Sequence, residues 1–180
     1  MLQIEIPASE WWDESTNSFI NVKPVTLTLE HSLVSLSKWE SKWCKPFLSK
    51  EPKTNEETLD YIRCMTLTQN VDPNVYLGLT SKNIKMIQEY IDNPHTATTI
   101  HESPNAPRSR ETITSELIYY WMIALQIPFE CQKWHLNRLL TLVRVCNVKN
   151  APPKKMSQRE LMARNSALNK ARRSQLHSRG

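Results

Sequence analysis

"ECQKWHLNRLLTLVRVC", residues 130–146, puts a cysteine four residues before a histidine and ends on a second cysteine. It reads as one of two things: a metal site, or a helix that carries Cys and His on its packing face. Cys131 and His135 at i, i+4 would share a helix face, as zinc ligands on a helix must. Cys146 lies eleven residues beyond His135. At about 1.5 Å per residue that is ~16 Å along the axis, far outside the ~2.0–2.3 Å of a zinc–ligand bond. Cys44, Cys64, His95 and His101 would join only if the fold brought them in. On a helical wheel Leu136, Leu139, Leu140, Leu142, Val143 and Cys146 fill one broad arc, with His135 near its edge. Asn137, Thr141 and Arg144 mark the opposite face. The stretch is therefore read as an amphipathic packing helix in which a free cysteine behaves as a small apolar residue. No metal and no cofactor are expected.

The rest of the composition narrows the function classes. The chain has 180 residues, enough for one domain with a real core and a tail. Its two glycines are Gly78 and Gly180, so no glycine-rich phosphate loop can be written on it. The four cysteines form no C-x-x-C pair, and the first residues, "MLQIEIPASEWWDE", do not resemble a signal peptide. The longest apolar run, "LIYYWMIAL", is about half of what a bilayer crossing needs. These features lead us to expect no membrane segment and free thiols in a reducing cytoplasm. Cys–His nucleophilic catalysis would need an oriented pair in a cleft, and no sequence signature announces one. The acidic pair Glu56-Glu57 falls in a first helical turn, where the helix dipole accounts for it. The chain is not expected to be an enzyme.

Local patterning predicts a mainly α (α+β) chain: a helical domain with a small N-terminal β element and a basic C-terminal helix. "LQIEIP" and "VTLTLE" alternate apolar and polar residues with period two, the half-buried strand pattern. Two strands alone are marginal in water and need a helix or another chain to cover them. "ASEWWDESTNSFINVKP", between them, reads as a long loop with aromatic anchors. From Ser32 the period becomes helical, through Leu33, Leu36, Trp39, Trp43 and Phe47. Thr54 and Glu57 form a capping box ahead of the stripe Leu59, Ile62, Met65 and Thr66. A third helix follows Ser81 with Ile84, Ile87 and Ile91 on one face, and "DNPHTATTIHESPNAPRSR" is a loop. "TITSELIYYWMIAL" is apolar nearly all round, the mark of a central buried helix. Trp121, Leu139 and Val143 are expected to carry stability. After the linker "VKNAPPKK" a last helix starts at Ser157, with Glu160 completing a second capping box. The expected boundaries are 1–30 for the β element and loop, 31–149 for the helical core domain, and 150–180 for a basic arm.

Two features remain for function. Trp39, Trp43, Trp121 and Trp134 sit at helix-packing positions. Trp11 and Trp12 are adjacent in a polar stretch, and read either as a protein–protein hot spot or as anchors folding back on the body. Residues 150–180 hold eight basic residues and one acid, net +7, against 15 basic and 17 acidic residues elsewhere, net −2. The arm, with Lys154, Lys155, Arg159, Arg164, Lys170, Arg172 and Arg173, reads three ways. It contacts phosphates, docks on an acidic or helical protein, or is a solvated helix. It has no aromatic residue for base stacking, which makes nucleic acid an unlikely partner.

The run "ITSELIYYWMIALQIPFECQKWHLNRLLTLVRVCNVKNAPPKKMSQRELMARNSALNKARRSQLHSRG" (113–180) resembles small proteins of long-tailed bacteriophages described as tail assembly chaperones. "LVSLSKWESKWCKPFL", "ETLDYIRCMTL" and "IKMIQEYI" look like the same group, so the resemblance covers most of residues 30–180. It rests on overall pattern, with no catalytic motif to match. It implies a non-catalytic assembly factor in the host cytoplasm during phage assembly. Such a factor binds the helical tape measure protein, helps recruit the tail tube protein, and leaves as the tube grows. Homo-oligomers are compatible with it. The alternative is a structural protein retained in the virion tail or baseplate, with nucleic-acid binding through the arm a weaker third.

Overall fold

The structure, a computed structural model, describes residues 1–14, 17–99, 111–151 and 157–176. The chain divides into two compact units, Met1–Val148 and Lys149–Gly180. It is mainly helical with a small β element at the N-terminus.

In the first unit, β1 (Leu2–Ile6) pairs antiparallel with β4 (Val25–Leu29), and Leu2 faces Leu29 across the ladder. The alternation puts Ile4, Ile6, Leu27 and Leu29 on one buried face. Helix α3 (Ser81–Asp92) packs on this pair and ties its edge through Asn83, whose Nδ2 donates to Glu5 O at 3.0 Å. The free edge of β4 is closed by the chain after α2 (Asn55–Met65). Leu67 N–H donates to Thr28 O at 2.8 Å and Glu30 N–H to Met65 O at 2.9 Å. The two-stranded element is thus covered and both of its edges are occupied, as a marginal hairpin requires.

The stretch between those strands is not a loop. Ser9–Asp13 (β2) and Ser18–Val22 (β3) form a second antiparallel ladder, with Trp11 opposite Ile20 and Trp12 opposite Phe19. The two adjacent tryptophans hide the strand pattern. One lies on each face, so polarity does not alternate although the backbone does. Gly78 ends a 3-10 helix, Pro73–Gly78, that packs under this hairpin. A Cβ there would stand 2.9 Å from Cγ2 of the buried Ile6 at the end of β1, so the close approach of β1 favours glycine at Gly78.

Two apolar clusters fill the unit. The first joins the β1/β4 face to Trp39, Tyr61, Ile62, Met65 and Ile87. The second joins Leu33, Leu36, Ile118, Met122, Leu136, Leu139 and Val143. Helix α1 (Leu33–Trp43), capped by Ser32, belongs to both. Its seam with α2 is unusually polar. Trp39 Nε1 donates to Glu57 O at 2.8 Å, and Trp43 Nε1 and Lys42 Nζ reach the two oxygens of Asp60 at 2.9 and 2.5 Å. Glu57 closes the predicted capping box with Thr54 and also takes Lys45 at 2.6 Å. The Lys45 and Thr54 hydrogen bonds hold its carboxyl below the usual range. Burial pushes Asp60 the other way, and its bonds to Lys42 and Trp43 outweigh that.

Two sequence expectations need correction in the second half. α4 (Ser115–Ala124) is not enclosed. Ile118 and Met122 are buried and Trp121 is half-buried, but Tyr120 and Ile123 are more than 60 % exposed (62 % and 63 %). Apolar composition records what a face is made of, and nothing in the described residues covers this one. The opening stretch is also not one helix. Phe129–Lys133 is a 3-10 turn, Trp134 and His135 are extended, and α5 runs from Leu136 to Asn150. The break is forced by pairing: Ser32 and His135 form a β-bridge, and Leu136 N–H donates to His31 O at 2.7 Å. Trp134 therefore caps the turn, half-buried, with the Arg138 guanidinium 4.2 Å over its ring.

The second unit holds α6 (Gln158–Leu176), exposed along its whole length. Ser157 and Glu160 bond reciprocally at its start: Ser157 N–H to Glu160 Oε2 at 2.8 Å, and Glu160 N–H to Ser157 Oγ at 3.2 Å.

One buried carboxylate lends itself to a clean test. Glu40 accepts Phe47 N–H at 2.9 Å and Ser115 N–H at 2.7 Å, one on each oxygen. It thus closes the turn after α1 and fixes the first residue of α4. Glu40→Gln keeps the shape and replaces one acceptor by a donor facing an N–H. It is expected to cost about 1–3 kcal/mol in urea unfolding, whereas an unchanged midpoint would show that this carboxylate is not holding α4.

Candidate functional site

The residues singled out by sequence divide into three groups. The metal and nucleophile candidates come first. Cys44 is exposed at the C-cap of α1 in a left-handed conformation, Cys64 and Cys146 are half-buried, and Cys131 is buried. Burial raises the thiols of Cys64 and Cys131 above their ordinary range, away from thiolate reactivity. Cys131 and His135 lie in different elements, so the i, i+4 face assumed for them does not exist. His101 lies outside the described residues. Among the described residues, no group of three or more His, Cys, Asp or Glu side chains is placed to hold a metal ion.

What the fold does assemble is a histidine seam that the sequence reading did not foresee. His31, His95 and His135 come from three separated segments. The His135 ring centroid is 5.1 Å from that of His31 and 4.1 Å from that of His95. His135 Nδ1 accepts Asn137 N–H at 3.3 Å, so the ring proton sits on Nε2 and donates to Tyr90 O at 3.1 Å. That pair of bonds requires a neutral ring. His31 Nδ1 is hydrogen-bonded to the Tyr61 hydroxyl at 2.6 Å. Glu30 completes the seam, with one oxygen on the Tyr90 hydroxyl at 2.8 Å and the other on the Met1 amine at 3.0 Å. Burial lowers the His31 pKa to about 3, with His135 and His95 adding to the effect. Burial and then His95 lower that of His135. His31, His135, Glu30, Tyr61 and Tyr90 are buried and hydrogen-bonded, with exposed His95 and the Met1 amine at the rim, an arrangement suited to holding segments together.

The surface candidates are placed differently. On the hairpin, alternation puts Trp11 with Ile20 and Val22 on the face toward the body, and Trp12 with Phe19 and Glu10 on the outer face. Trp11 is 47 % exposed and lines a shallow groove with Leu59, Tyr76, Leu77, Leu79 and Ile84. Its Nε1 donates to Ser9 Oγ at 3.2 Å. Trp12 and Phe19 make an edge-to-face pair, centroids 4.9 Å apart, and are 50 % and 64 % exposed. The two readings of this pair of tryptophans therefore divide between them: Trp11 leans on the body and Trp12 stands free of it. Phe19 was missed as a site candidate, and its signal was the β-branched run "FINV" after a polar turn. Arg159, Arg164, Lys170, Arg172 and Arg173 all lie on α6. Lys154 and Lys155 lie outside the described residues.

No described helix is long and apolar enough to cross a membrane.

The seam predicts a definite pH dependence. Both folded histidine pKa values lie below the ordinary 6.5, so between that value and the folded values the unfolded chain binds more protons. Stability is then complete above about pH 6.5 and falls as pH drops, by about 1.4 kcal/mol per pH unit for each histidine that stays neutral in the fold. Glu30, Tyr61, Tyr90, His95 and the Met1 amine also face the seam. Urea midpoints at pH 7, 6 and 5 should fall steadily, and a flat profile would contradict the assignment.

No protein-family model, curated protein or solved structure matches the chain.

Proposed function

We propose that the chain is a non-catalytic assembly factor, a phage tail assembly chaperone that binds the tape measure protein and assists tube assembly. The observation that carries this reading is the distribution of chemistry on the molecule. Glu30, His31, Tyr61, Tyr90 and His135 are buried and hydrogen-bonded inside the fold, while Trp12, Phe19, Tyr120 and the basic residues of α6 stand at the surface. Trp12 and Phe19 on the hairpin, and Tyr120 and Ile123 on α4, offer apolar contacts to a partner. The basic C-terminal helix supplies the second element, since an exposed cationic helix steers toward an acidic partner and releases it as salt rises. Several weak surfaces acting together give a hold that is tight in sum and reversible contact by contact, which suits a factor that leaves as the tube grows. The tail tube protein is the second expected partner, and the host cytoplasm the expected place.

Co-expression with the tape measure protein tests this. Arg159→Glu, Lys170→Glu and Arg173→Glu together should lower recovery of soluble complex, and raising salt from ~0.05 to ~0.2 M should weaken the parent more than the variant. Purified virions should hold the chain at trace level at most. Equal recovery in all four conditions would overturn the proposed role of the helix. Stoichiometric presence in the virion would make the chain a structural tail protein instead.

A further inference from the structure

We propose that the outer face of the β2–β3 hairpin is a docking site for α6 of a second copy of this chain. This goes beyond the chaperone reading and does not depend on it; the two contacts use the same hairpin face and helix, so a partner bound there displaces the second copy.

Four buried or half-buried aromatic rings carry a cation, whereas exposed Tyr120 and Phe129 carry none among the described residues. Lys42 lies over Trp43 at 5.6 Å, Lys53 over Phe47 at 4.6 Å, Arg63 over Tyr76 at 5.3 Å and Arg138 over Trp134 at 4.2 Å. The Trp12–Phe19 pair has no such cation among the described residues. It has a carboxylate in its place. Glu10 shares the outer face with Trp12, two residues along the same strand, and forms no ion pair among the described residues. An exposed aromatic pair beside an unpaired carboxylate is a receptor for a cationic side chain, above all arginine. Arginine's flat guanidinium stacks on a ring while its N–H groups reach a carboxylate.

α6 carries the complementary face. At 100° per residue, Leu161, Leu168, Arg172 and Leu176 fall within an arc of about 80° that also holds Asn165. The three leucines are 45 %, 46 % and 75 % exposed. An arginine set in a leucine stripe presents one cation among apolar contacts, the counterpart of an aromatic pair beside one carboxylate. The charge balance runs the same way, with net +7 in residues 150–180 and net −2 in the rest. Docking in trans therefore lets each copy offer the helix that its neighbour's hairpin accepts. Arg172 lies over Trp12 and pairs with Glu10, while Leu168 and Leu176 flank Phe19.

Sedimentation velocity on the full chain, over a range of concentration and at two salts, tests this with charge reversals at exposed positions. The parent should self-associate, less so at high salt. Glu10→Arg and Arg172→Glu should each weaken association by about tenfold or more, since each sets like charges face to face. Mixed in equal amounts, the two variants should associate again, because the hairpin of one then meets the unaltered helix of the other. Trp12→Ala should weaken association in the same way; if its circular dichroism shows that the hairpin has unravelled, the two charge variants decide alone. A parent that stays monomeric, single variants that associate like the parent, or a mixture that fails to recover would each overturn the proposal. Association that survives in both variants would assign the contact to another surface, such as the open face of α4.

Discussion

The fold hangs on three consecutive buried polar residues, Glu30, His31 and Ser32. They lie where the chain leaves the strand that supplies Leu27 and Leu29 to one apolar cluster and enters the helix that supplies Leu33 and Leu36 to the other. Burying three polar residues in a row is costly unless each finds partners, and here each does. Glu30 N–H is held by Met65 O, His31 O receives Leu136 N–H, and Ser32 caps α1 while bridging to His135. The side chains of Glu30 and His31 reach Tyr90 and Tyr61. One short segment thereby fixes the ends of α1, α2 and α5 against the β1/β4 pair. The broken start of α5 follows from it: His135 must be extended to pair with Ser32, so the helix cannot begin before Leu136.

Much of this was legible from sequence, and the parts that were not have physical reasons. The β1/β4 pair, α1, the Thr54–Glu57 cap of α2, α3 and the Ser157–Glu160 bonds follow from local rules of periodicity and capping. Local rules failed where distant residues decide. The extended His135 is set by its bridge to Ser32, more than a hundred residues away, and the histidine seam by three segments that no spacing connects. The β2–β3 hairpin was masked because its two faces each carry a tryptophan. The apolar composition of α4 predicts burial, whereas exposure depends on what packs against it. Of the candidate site residues, Trp11 and Trp12 stood out by their adjacency and the arm by its charge. Phe19 and Glu10, which give Trp12 its chemical setting, become visible only when the register is known.

Functionally, the molecule separates a well-satisfied interior from surfaces that are not. The buried carboxylates and histidines have partners inside the fold and serve to join its segments. The aromatic outer face of the hairpin, the open face of α4 and the leucine–arginine stripe of α6 have none among the described residues. In the role proposed above, an apolar anchor supplies affinity and a cationic helix supplies direction.

The central claim is that the segment from Glu30 to Ser32 makes the two apolar clusters one cooperative unit, and native-state hydrogen exchange in rising urea tests it most directly. The account predicts that the amides of Glu30, Ile62, Leu136 and Leu139 lose protection together, at the free energy of global unfolding. Exchange of Leu136 and Leu139 through an opening that leaves Glu30 and Ile62 protected would contradict it, and would make the two clusters separate bodies joined only by the chain.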